Sequence, residues 1–107
     1  MKQYLDPVQT LTLIGLGFPQ PKSVSKLTLD KDMDTIPSFS YSIGELTSFL
    51  PDEIQDEDED VAASLQITHG WEVCYTTSSD IYYYTYEKEL IDALFTICMY
   101  LKEDGLI

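Results

Sequence analysis

Between Lys88 and Ile107, Leu90, Ile91, Leu94, Ile97, Cys98 and Leu101 recur at the i, i+3, i+4, i+7 spacing that places side chains on one face of a helix. Asp92, Thr96 and Glu103 fall on the opposite face, and Phe95 and Tyr100 flank the stripe. Gly105 stands where a left-handed C-cap ends such a helix, with Leu106 and Ile107 beyond it. Upstream the period shortens to two. Ala63 to Thr68, Trp71 to Thr77 and Ile81 to Tyr86 read as three strands, joined at His69-Gly70 and at Ser78-Ser79-Asp80. Alternation puts Leu65 and Ile67 on one face of the first strand, and Trp71, Val73 and Tyr75 on one face of the second. The third carries tyrosine on both faces, so its register is open.

The first half is more broken. Asp6-Pro7 with Gln9 has the form of a capping box with proline at the first helical position, and Val8, Leu11 and Ile14 give a short apolar side. Gly15, Gly17 and the Phe18-Pro19-Gln20-Pro21 run stop that helix. Val24, Leu27 and Leu29, interleaved with polar residues, predict a strand over Ser23 to Asp30. Asp30 to Pro37 reads as a loop. Ser42 and Glu45 form a second capping box, opening a helix with Ile43, Leu46, Phe49 and Leu50 on its apolar side and Pro51 at its end. Residues 52–60 read as an acidic, flexible loop. The expectation is a single α+β domain over residues 1–107: a small antiparallel sheet, made of a three-stranded meander plus one N-terminal strand, packed against the C-terminal helix, with two short helices in the N-terminal half.

Charge narrows the function classes. The chain has 19 acidic residues against 6 lysines, no Arg and a formal charge of −13. Phosphate backbones attract clustered Lys and Arg, so a nucleic-acid partner is not expected and a basic protein is electrostatically easier. Cys74 and Cys98 are too few for a disulfide framework and bridge only if they meet face to face. Neither a signal peptide nor a membrane span is recognisable, which makes a cytoplasmic location the expectation.

Candidate chemistry is sparse. Asp30, Asp32 and Asp34 match the first three ligand positions of a calcium loop, but Thr35 and Tyr41 stand where that loop needs Gly and Glu, so no metal site is expected. His69, the single histidine, sits at a turn with no nucleophile or orienting carboxylate evident beside it. The acidic pentad Asp56, Glu57, Asp58, Glu59 and Asp60 offers a charged surface for a basic partner. Tyr82, Tyr84 and Tyr86, with Tyr75 on the neighbouring strand, are either sheet packing or an interface, where tyrosine is enriched.

The Gly70-Trp71 entry to a strand, the tyrosine-rich hairpin and the ending Leu101-Lys102-Glu103-Asp104-Gly105-Leu106-Ile107 resemble small uncharacterised proteins of prophage-like and mobile regions in gut Bacteroidetes genomes. Leu16-Gly17-Phe18 and Tyr41-Ser42-Ile43-Gly44-Glu45-Leu46 echo them more weakly. The resemblance implies a phage or mobile-element accessory protein of adaptor or inhibitor type, with no particular reaction, ligand or cofactor. Composition and resemblance together lead to the expectation of a non-enzymatic protein-interaction protein, its binding residues drawn from the tyrosines and the acidic pentad. The alternative is a small-ligand or hydrolytic site near His69, Tyr83 and the tyrosine-rich sheet. A homodimer through Phe95, Met99 or Tyr100 is a third expectation.

Overall fold

The computed structural model describes residues 1–56 and 61–107. Along the chain run α1 (Pro7–Gly15), β1 (Ser23–Leu29), β2 (Thr35–Ser40), α2 (Ile43–Phe49), β3 (Glu53–Asp56), β4 (Val61–Thr68), β5 (Glu72–Thr76), β6 (Ile81–Tyr86) and α3 (Leu90–Glu103). The strands form two antiparallel sheets, a β1-β2 hairpin and a four-stranded β3-β4-β5-β6 sheet. The architecture is therefore α+β, with α3 packed on the larger sheet.

Local signals account for the helices. The Asp6 carboxylate accepts the Gln9 N–H while the Gln9 side chain accepts the Asp6 N–H, closing the first box. Ser42 and Glu45 close the second. Gly105, at φ 76°, ends α3 as expected: Leu106 N–H reaches the Leu101 carbonyl and Gly105 N–H that of Lys102.

The core is the stripe of α3 pressed between α2 and the sheet. Ile91, Leu94, Ile97, Cys98 and Leu101 are fully buried with Leu13, Tyr41, Leu46, Val73 and Tyr75. Cys98 lies inside this layer, whereas Cys74 alternates with Val73 and Tyr75 on β5, and both thiols are free.

Three expectations need correction. Residues 35–40, partly assigned to a loop, form β2. The turn before it holds without glycine because the Asp30 carboxylate accepts the N–H groups of Asp32 and Asp34 and Met33 adopts φ 64°. Second, β1 does not join the main sheet; its ladder runs only to β2. Third, the acidic stretch is not wholly a loop: Glu53–Asp56 is an edge strand paired with Ser64 to Val61 of β4. Backbone pairing with a neighbouring strand decides that segment in spite of its charge.

The molecule measures 60 × 28 × 18 Å. Its radius of gyration is 16.1 Å, against about 13 Å for a compact domain of similar length. The hairpin is the reason: it projects from the body as an arm.

Candidate interaction surface

The foot of the arm is built by polar groups at its two ends. Ser40, nearly inaccessible, donates to the Leu5 carbonyl at 2.6 Å and shares a 2.6 Å bond with Thr10 of α1. On the β1 side, Ser23 donates its hydroxyl to the Glu45 carboxylate, which also accepts the Lys22 N–H. Desolvation pushes the Glu45 carboxyl up, and the bonds from Ser23, Lys22 and Ser42 more than offset it, holding the group below its ordinary range. Both ends of the arm are thus tied to helices through satisfied groups.

Beyond the foot the ladder sorts the side chains. Val24 faces Phe39, Leu27 faces Pro37 and Leu29 faces Thr35, with a bulge between Val24 and Lys26. Directly paired residues share a face, so one side of the arm carries Val24, Leu27, Leu29, Pro37 and Phe39 and no charge. Lys26, Thr28 and Ser38 lie on the other side with a single exposed apolar residue, Ile36, whose carbonyl accepts from the Thr28 hydroxyl across the ladder. The apolar side is open to solvent: Leu27 is 63% exposed, Leu29 60% and Phe39 49%. Between α1 and the foot lies a cleft of about 700 Å³ lined by Leu5, Leu11, Ile14, Pro21 and Phe39 among others. Exposed Leu11 and Val8 of α1 extend the apolar surface beside it.

The expected tyrosine surface is divided. Tyr75 is fully buried and donates to the Pro51 carbonyl, and burial raises its hydroxyl well above the ordinary tyrosine range. It belongs to the core. Tyr84 and Tyr86 are exposed, on the side of the sheet where Glu72 pairs with Tyr86. Tyr82 pairs with Tyr75 and is half-buried. Between these positions Tyr83 sits in a bulge at φ 53°, a conformation costly for a residue with a Cβ. Its hydroxyl donates to Asp104 at 2.6 Å, and that bond, ahead of desolvation, pushes its pKa to about 12. Tyr82, Tyr83 and Asp104 line a second cavity of about 360 Å³ with Ile54, Ala63 and Leu106.

Asp56 closes β3; Glu57, Asp58, Glu59 and Asp60 lie outside the described residues. His69 is exposed in the β4–β5 turn, its ring 5.6 Å from that of Trp71, and lines neither cavity. Phe95 and Met99 are partly buried against the core, leaving Tyr100 as the open member of that trio. Among the described residues, no group of three or more acidic, His or Cys side chains is placed to hold a metal, and no helix is long and apolar enough to cross a membrane.

The sequence pattern hides the arm's face because it hides β2. The available signal is Pro37 and Phe39 alternating with Ser38 and Ser40, which has strand spacing once Pro37 is allowed on an edge.

Comparison with protein-family models, curated proteins and solved structures finds no match to this chain.

Proposed function

We propose that this chain is a non-enzymatic protein-interaction protein that holds its partner through the apolar face of the β1–β2 arm. One observation carries the reading: Val24, Leu27, Leu29 and Phe39 share one side of a two-stranded hairpin and are all between 44% and 63% exposed. A hairpin without a third strand or a covering layer is marginal in water. Contiguous exposed apolar surface on a small domain marks a contact site. An adaptor or inhibitor role for a phage or mobile-element protein fits this reading.

The test is photo-crosslinking in cells, with a benzophenone amino acid at Leu27 or, for comparison, at Thr28 on the opposite face. Crosslinks to one protein from position 27 and few from position 28 are expected. Equal yields from both positions refute the face assignment.

A second reading has its own observation, the strained Tyr83 beside the 360 Å³ cavity. There the chain would hold a small molecule with an apolar body between Ile54 and Leu106 and a donor group near Asp104. A fragment screen by NMR that leaves the Tyr83 and Leu106 resonances unmoved argues against it.

A further inference from the structure

We infer that the protein held by the arm is a second copy of this chain, the two arms packing apolar face to apolar face in antiparallel orientation. This rests on the arm being a contact surface, and adds what covers it.

Charge distribution is the first argument. Within residues 22–41, Lys22, Lys26 and Lys31 balance Asp30, Asp32 and Asp34, so the entire formal charge of −13 belongs to the rest of the chain. The arm is the electroneutral part of a strongly acidic molecule, and its apolar side has no charged group. A foreign partner selected for its basic surface gains nothing from that face. An identical uncharged face loses nothing by meeting it.

Geometry is the second. β1 has 7 residues, so the arm extends about 20 Å from foot to tip at strand rise. In an antiparallel pair the two bodies sit at opposite ends of that length. Fixed charges are screened over about 8 Å at physiological ionic strength, so bodies that repel at contact tolerate this separation. A parallel pairing of the two arms would instead set the acidic bodies side by side.

The edges are the third. Open strand edges invite pairing with another chain, and proline or a bulge blunts them. Here Pro37 removes a donor from β2, and the bulge between Val24 and Lys26 distorts β1. With both edges blunted, the face remains for docking, and packing two hairpins about 10 Å apart gives a small two-layer sandwich. The arrangement is isologous, Leu27 of each copy meeting the same region of the other.

The experiment is light scattering coupled to size exclusion on the full chain, across a concentration series, with Leu27→Lys and Thr28→Lys variants. The expected result is a mass rising from 12.2 kDa to twice that value with concentration, and more readily at high salt because body repulsion is screened. Leu27→Lys remains monomeric, with an unchanged far-ultraviolet circular dichroism spectrum because Leu27 lies outside the core, while Thr28→Lys dimerises like the parent. A chain that stays at 12.2 kDa throughout overturns the second-copy inference; position-27 crosslinks to a different protein then leave the arm reading standing. A dimer that persists in Leu27→Lys overturns the inference and removes this support from the arm as well.

Discussion

Tyr83 in the bulge of β6 and Asp104 at the C-cap of α3 are joined by a 2.6 Å hydrogen bond across 21 residues of sequence. The bond ties a sheet irregularity to the end of the helix that covers the sheet. It holds a tyrosine at φ 53°, where glycine is the usual occupant. The bulge also shifts the pattern of β6, so that Tyr82 faces Tyr75 while Thr85 faces Val73.

Tyr83→Phe keeps the ring and removes the bond. Since the pair is exposed to solvent, the loss is about 0.5–1 kcal/mol rather than the larger value for a buried charged acceptor. Urea denaturation of parent and variant measures it. An unchanged midpoint would show that the bond does not contribute to stability.

Alkaline pH is expected to destabilise the fold. Burial raises the Cys98 thiol from its ordinary value of 9.0 to about 12. Its stabilising contribution is complete below pH 9 and is lost as the pH rises toward 12. Tyr83 acts in the same sense between 10 and about 12. Thermal melting should show a midpoint falling above pH 9, and Cys98→Ala should flatten the early part of that fall.

Acid acts through the other sign. Lys2 contacts Asp92 at 2.8 Å and Gln9 donates to the same oxygen at 2.9 Å, linking the N-terminal segment and α1 to α3. Desolvation raises the Asp92 carboxyl, but these bonds outweigh it and hold the group below 3.8. The associated stability is present above pH 3.8 and lost as the pH falls through the depressed value. Lys2→Met should remove about 1 kcal/mol at neutral pH and reduce the acid dependence. Melts at pH 7 and pH 3 compare the two chains.

The foot of the arm is the most sensitive polar position. Ser40→Ala leaves the Leu5 carbonyl and the Thr10 hydroxyl without their partner in a buried site. A loss of about 1–3 kcal/mol is expected. Amide exchange in the variant should accelerate along β1 and β2 before it does so in α3.

What was legible in the chain was what neighbours in sequence decide. The Asp6–Gln9 and Ser42–Glu45 boxes, the Leu90–Leu101 stripe and the stop at Gly105 all act within a turn or two of helix. What was hidden depends on distant pairing. Glu53–Asp56 becomes a strand because β4 lies beside it. Thr35–Ser40 becomes a strand because Asp30 and Met33 build a turn without glycine. Composition groups Tyr75 with the other tyrosines, yet register buries it. The candidate surface is half visible: Leu27 and Leu29 have strand spacing, but the bulge that brings Val24 onto their face and the sheet that β1 does not join depend on pairing.

Methyl NMR with a soluble paramagnetic probe reads whether the arm's apolar face is free until a protein covers it. In dilute protein, the Leu27 and Leu29 methyls should be strongly broadened, like that of exposed Met33. In concentrated protein or with a captured partner, both leucines should become protected while Met33 at the tip and Ile36 on the opposite face stay broadened. Protection of Leu27 and Leu29 at every dilution would mean instead that the arm lies folded against its own body and offers no free face.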